Sequence, residues 1–295
     1  MKIQKTILSL LALYMTFITH AVFAGSMSVS ENWTLAEGLN KPESVVYDEK
    51  NKVLYISNIN GKGREKNGLG YIAKVSPDGK IILKEWVKDL NAPKGLALSN
   101  GKLYIADIDA LIVVDVETAT VEKRYEAEGA KFLNDVAINA KGKVYVSDSK
   151  TSKIHILEGD KFSVWLDDER VLRANGLYAL EGDLLIAAGD SSHKKPHKNR
   201  YLQLVSYDKK TIRPIKDQTS LGDIDGVVPD GNNGIFLTDW RAGKLMHYSK
   251  DKGAILIKQL GKGTADLTYV GKSKLIYLPV MMSHELKSYS VTFSE

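Results

Sequence analysis

From residue 42 onward the chain alternates apolar and polar positions in short runs separated by turns rich in Gly, Asn, Asp and Lys. Period-two alternation carried by Val, Ile, Tyr and Trp predicts β-strands, and the Gly, Asn and Asp turns predict hairpins. The pattern also repeats on a longer scale. Six segments share one plan, in which a polar or small pair precedes an alternating strand, a short turn and a second strand that often closes on Asp. They are PESVVYDEKNKVLYISN (42–58), PKGLALSNGKLYIAD (93–107), LNDVAINAKGKVYVSD (133–148), ANGLYALEGDLLIAAGD (174–190), IDGVVPDGNNGIFLTD (224–239) and TADLTYVGKSKLIYLPV (264–280).

In register, the second position of the pair is Glu43, Lys94, Asn134, Asn175, Asp225 and Ala265, with spacings of 51, 40, 41, 50 and 40 residues. A four-stranded propeller blade takes about 40 residues. Each unit continues into two further strand-like runs, as in YIAKVSPDG (71–79) and IILKEWV (81–87). The expected fold is therefore all-β, a six-bladed β-propeller occupying residues 25–295. WTLAEGLNKPES (33–44) resembles EWVKDLNAPKG (85–95), so the stretch around Trp33 reads as an outer strand with no blade in front of it. Pairing it with the C-terminal blade, whose strands run from Leu267 to Phe293, closes the ring and removes an open sheet edge.

Ahead of the repeats, Lys2 and Lys5 precede the apolar run Ile7 to Phe17, and Ala21-Val22-Phe23-Ala24 offers small residues at a cleavage spacing. This is the layout of a signal peptide over residues 1–24, and it predicts a periplasmic or secreted protein. The run is shorter than the roughly 20 residues of a membrane-spanning helix, so no stable membrane span is expected.

At 295 residues, 43% hydrophobic and 26% charged, the chain has the composition of a soluble globular protein. It has no cysteine, which excludes disulfides, thiolate metal sites and cysteine nucleophiles. The net charge of +5 falls to +3 without Lys2 and Lys5, too small and scattered to predict nucleic-acid binding.

In a propeller the innermost strand of each blade lines the axis, so the six anchor positions are expected to converge at one mouth. Four of them, Glu43, Asn134, Asn175 and Asp225, carry oxygen donors. Two carboxylates aimed at one axis need a cation, a shared proton or abundant water. Carboxylate and amide oxygens without Cys or His suit a hard cation, Ca2+ before Mg2+ or Mn2+; a hydrated structural ring is the other reading. The two long spacings place extra residues at 58–70 and 189–200, on the anchor face and from opposite blades, where they could serve as lids or as solvated decoration. His193 and His197 fall in the second insertion and read as solvated, while His155 and His247 read as structural. P-loop, G-x-S-x-G and H-E-x-x-H motifs are absent.

The openings PESVVYD, LNDVAINAKGKVYVSD, ANGLYALEGDLLIA and IDGVVPDGNNGIFLTD resemble the regucalcin/gluconolactonase/luciferin-regenerating-enzyme family of six-bladed propellers, over essentially all of residues 33–293. The resemblance implies a divalent cation, commonly calcium, held by Glu43, Asn175 and Asp225. It implies a substrate-holding role for Asn134, with Asp135 beside it. It also implies hydrolysis of a sugar lactone or related ester, with the metal polarising the carbonyl and Asp225 as candidate proton acceptor. The chain departs from the family at Phe132, where the lactonases usually carry an Arg that binds substrate hydroxyls; this points to a more apolar substrate or to binding without catalysis. Lys94 adds a cation that could meet an anionic ligand or offset a carboxylate. The expectation is an exported, calcium-dependent hydrolase of a small-molecule lactone or ester. The alternatives are a non-catalytic propeller that binds a small molecule, glycan or protein, and a purely structural scaffold.

Overall fold

The computed structural model describes residues 27–188, 200–215 and 220–293. The segment 1–24 and most of the 189–200 insertion, including His193 and His197, lie outside the described residues. Within them the chain forms six four-stranded antiparallel sheets, arranged as the blades of a propeller. The first blade is β2 (Pro42–Asp48), β3 (Val53–Asn58), β4 (Gly70–Val75) and β5 (Ile81–Leu90), ordered from axis to rim. The next four blades open on β6 (Pro93–Ser99), β10 (Leu133–Ile138), β14 (Leu177–Ala179) and β18 (Ile224–Pro229).

The sixth blade is composite. β22 (Thr268–Val270), β23 (Leu275–Val280) and β24 (Glu285–Phe293) are completed at the rim by β1 (Met27–Leu35), antiparallel to β24. The strand around Trp33 thus closes the ring, as the sequence comparison predicts. Its side chain explains the match. In the first and third blades an outer-strand Trp lies against a second-strand Tyr, as Trp86 on Tyr55 at 4.5 Å and Trp165 on Tyr145 at 4.9 Å between ring centroids. Trp33 packs on Tyr277 in the same way at 5.9 Å, and its indole N–H donates to Pro77 O at 3.0 Å. Gly79, at φ 84°, leaves room for that indole, since a Cβ there would stand 2.8 Å from the ring.

Hydrophobic burial follows the ring. Separate apolar clusters lie between each pair of neighbouring blades, such as Tyr55, Trp86, Leu103 and Ile112 between the first and second, or Phe236, Leu245, Ile276 and Tyr289 between the fifth and sixth. Inner strands are covered on both faces, so β3 is buried at every position. At one mouth of the axis the anchor side chains are polar in five of the six blades.

One local device aims them. In blades one, two, three and five the pairing of the innermost strand skips between Pro42 and Val45, Pro93 and Leu96, Leu133 and Val136, and Ile224 and Val227. Each skip is a bulge at the anchor pair, which turns two successive side chains out of the pleat. Bulges strand an N–H, and the second strand supplies the partner. Ser57 Oγ, Ser147 Oγ and Thr238 Oγ1 accept from Ser44 N at 2.9 Å, Asp135 N at 3.0 Å and Gly226 N at 2.8 Å. The acidic residue that follows clamps the incoming chain. Asp107 accepts from Asn91 N at 3.0 Å and Ala92 N at 2.7 Å, and Asp148 from Lys131 N at 2.9 Å and Phe132 N at 3.1 Å. The recurring Asp at the end of the second strand therefore fixes the anchor beside it.

Candidate functional site

At one mouth of the axis, Glu43, Lys94, Asn134, Asn175 and Asp225 line a single cavity of about 630 Å³. Five of the six anchor positions are thus brought together; the sixth, Ala265, is buried and contributes no polar group. Phe132 also lines the cavity and covers Lys94, whose Nζ lies 4.5 Å from its ring centroid.

Asp135 lies elsewhere. It lines the cavity at the opposite mouth, about 320 Å³, and accepts from Leu177 N at 2.6 Å and Val136 N at 2.7 Å. The bulge accounts for this: the anchor residue turns to one mouth and the residue after it to the other. Asp266, one residue past the sixth anchor, is the equivalent of Asp135 and accepts from Ser44 Oγ at 2.7 Å. Gly95, Gly176 and Gly226 occupy the position after the anchor in other blades. A Cβ on Gly176 would lie 2.1 Å from Asp225 O, so this residue must lack a side chain for the fifth anchor to seat.

The electrostatics of the anchors centre on two buried carboxylates. Burial and the nearby charge of Asp225 raise the Glu43 carboxyl well above its ordinary value, against the pull of Lys94. Asp225 is pushed up to about 7 by burial, partly countered by Arg200. Lys94 is lowered to about 8 by burial, against the pull of Glu43, and its Nζ donates to Ala92 O at 2.7 Å. Glu43 Oε2 is buried and has no hydrogen-bond partner among the described residues.

Both amides spend their NH2 groups on the protein. Asn134 Nδ2 donates to Ser149 Oγ at 3.0 Å, Ser149 Oγ donates to Ala174 O at 2.6 Å, and Asn175 Nδ2 donates to Asp225 Oδ1. That leaves two amide carbonyl oxygens and an orphaned carboxylate oxygen beside Asp225, a hard-donor set of the kind calcium takes. Among the described residues no group of three or more His, Asp or Glu could hold a metal, so a cation here would need those amide oxygens.

Residues outside the repeat register complete the walls, namely Ile59, Lys62, Arg64 and Glu65 from the first insertion, with Ser149, Lys150, Arg173, Arg200, Asp223, Trp240 and Met281. The insertion is held by Lys66 Nζ on Asp109 Oδ2 at 2.6 Å and by Gly68 N on Asn91 Oδ1 at 3.3 Å. Arg200 is buried, pairs with Asp223 and donates to Ile224 O at 2.9 Å, behind Asp225. His155 packs on Phe162 and His247 bonds Asp230 Oδ2 at 2.8 Å, both away from the cavity.

Comparison with known proteins identifies the scaffold. The family described as the SMP-30/Gluconolactonase/LRE-like region matches residues 41–273. The chain belongs to this family. It is a propeller of the gluconolactonase type, as its motifs predict. No curated protein sequence matches it significantly. Among solved structures it is similar to a gluconolactonase from Xanthomonas campestris, at 13% identity and TM-score 0.65 over 88% of this chain and 89% of that one. It is also similar to virginiamycin B lyase from Staphylococcus aureus, at 11% identity and TM-score 0.58 over 90% and 99%. Likenesses at these identities show the fold alone. Among the described residues no helix is long and apolar enough to cross a membrane.

Proposed function

We propose that the chain is an exported, cation-dependent hydrolase of a lactone or ester, with calcium as the cation. Family membership supports lactonase-type chemistry and a small-molecule substrate. The observation that carries the reading is the unpartnered, buried Glu43 Oε2 beside Asp225 in the floor of the cavity. Leaving a buried carboxylate oxygen unsatisfied costs stability, and a cation would remove that cost. Export is supported by the residue pattern of segment 1–24 alone.

Glu43, Asn175 and Asp225 would hold the cation. Calcium, when bound, supplies Lewis-acid polarisation of the scissile carbonyl. Asn134, its amide nitrogen tied to Ser149, turns its carbonyl oxygen to the substrate. Asp225, buried beside Asn175, accepts the proton of the attacking water. The water oxygen bonds the carbonyl carbon, the bond to the leaving alkoxide breaks, and the proton passes to that alkoxide, giving a hydroxy acid or an acid and an alcohol.

A panel of lactones and esters tests this. At least one should be hydrolysed, with activity abolished by a chelator and lowered about 100-fold or more by Asp225→Asn. Hydrolysis untouched by both would overturn the mechanism. Phe132 over Lys94, in place of a hydroxyl-binding Arg, favours the second reading of a non-catalytic binding propeller, which retention of a ligand without turnover would select.

A further inference from the structure

The outer wall of the cavity carries charge that the hydrolytic reading leaves unused. Arg64 reaches it from the 58–70 insertion of the first blade, Lys150 from the turn after the second strand of the third, and Arg173 from the segment that leads to Asn175. Three separate parts of the ring therefore bring cations to one wall. Their mutual repulsion registers on Lys150, whose ammonium is lowered first by desolvation and then by the charges of Arg173 and Arg64.

Three other cations near the cavity are neutralised, whereas Lys62, like Arg64, enters from the first insertion with no ion pair among the described residues. Arg200 pairs with Asp223, Lys66 with Asp109 at 2.6 Å, and Lys94 lies in the field of Glu43. Arg64, Lys150 and Arg173 have no carboxylate within ion-pair distance among the described residues. Glu65, which lines the same cavity, accepts from Lys62 N at 3.3 Å. Arg173 is also held in place: its backbone is left-handed at φ 58°, its N–H donates to Thr151 O at 3.2 Å, and its carbonyl accepts from Arg200 Nε at 3.1 Å. A non-glycine residue in that region is strained, so the surroundings impose the conformation that brings Arg173 to the wall.

We propose that the substrate is anionic, its carboxylate or phosphate received by Arg64, Lys150 and Arg173 while its scissile carbonyl lies over Glu43 and Asp225. Paired guanidinium groups and an ammonium give charge-assisted, fork-like recognition of either anion. This rests on the hydrolase reading and adds to it the substrate class, a small lactone or ester bearing a negative charge.

Calorimetric titration of the calcium-loaded protein with monomethyl glutarate, inorganic phosphate and neutral dimethyl glutarate tests the proposal by binding alone. At least one of the anions should bind about tenfold or more tightly than the diester, with the preference shrinking as salt is added. Which anion it is separates carboxylate from phosphate. The variant carrying Arg64→Gln, Lys150→Gln and Arg173→Gln should lose the preference while keeping its melting temperature. Should that variant not fold, Lys150→Gln, an exposed position, is expected to lower anion affinity about threefold by itself. Equal binding of all three probes, no binding of either anion, or an undiminished preference in the variant would overturn it. Anion preference without hydrolysis of any panel member would sink the hydrolase reading alone, and hydrolysis without anion preference would sink this inference alone.

Discussion

Ser149 joins two parts of the site through a single hydroxyl. It accepts from Asn134 Nδ2 at 3.0 Å and donates to Ala174 O at 2.6 Å, the residue just before Asn175. Ser149→Ala strands a buried amide nitrogen and a buried carbonyl. The expected loss is about 1–3 kcal/mol, seen as a lower urea midpoint with an unchanged slope. Hydrolysis should weaken with it while cation binding holds, because Glu43, Asn175 and Asp225 are untouched. An unaltered midpoint would mean the hydroxyl bridges nothing of consequence. At this scale the anchors were legible in the sequence because the repeat puts them in one register. Asp266 is not legible in that register, because the sixth blade carries Ala265 at the anchor position and the match between Asp135 and Asp266 falls one residue later. Arg173, Arg200, Asp223 and Trp240 come from connections outside the register, where only the tertiary path of the chain decides what they face.

Among the elements, β1 carries the closure of the ring. Trp33 against Tyr277 reproduces the Trp and Tyr pairs of the first and third blades, so the likeness of WTLAEGLNKPES to EWVKDLNAPKG was a statement about packing as much as about strand order. Trp33→Ala removes a half-buried indole and its hydrogen bond to Pro77 O. A cost of about 2–4 kcal/mol is expected, with faster hydrogen exchange concentrated in β24 and β23. Protection lost evenly around the ring would show that β1 does not latch the sixth blade. The ending of the second strands, a hydroxyl residue followed by Asn or Asp in ISN, VSD and LTD, is present in the sequence as well, but its role is visible only once the bulge it serves is known.

For the whole molecule, the hollow axis sets the pH response. Asp225 titrates near 7 in the fold against about 3.9 unfolded, held up by burial, and Asp266, raised to about 6 and more open to the channel, adds a smaller share. The folded protein therefore binds more protons than the unfolded chain between about pH 4 and 7. Stability of the cation-free protein should be fully present near pH 4 as far as these groups are concerned, and should fall as pH rises through 6 and 7. Calcium should offset the fall at neutral pH by replacing the protons, and thermal melts across pH 4–8 with and without calcium read both effects. Melting temperatures that climb from pH 4 to 7 without calcium would contradict the account of the axis.

On the proposed reading, Glu43, Asn175 and Asp225 form a cation site at the propeller axis. Calcium titration of the purified protein by calorimetry, run beside Glu43→Gln, tests it most directly. About one calcium per chain is expected in the wild type, with binding weakened about 100-fold or more in the variant, whose loss of a carboxylate leaves a ligand set poorer in charge. Absence of calcium binding by the wild type, or equal binding by Glu43→Gln, would contradict it.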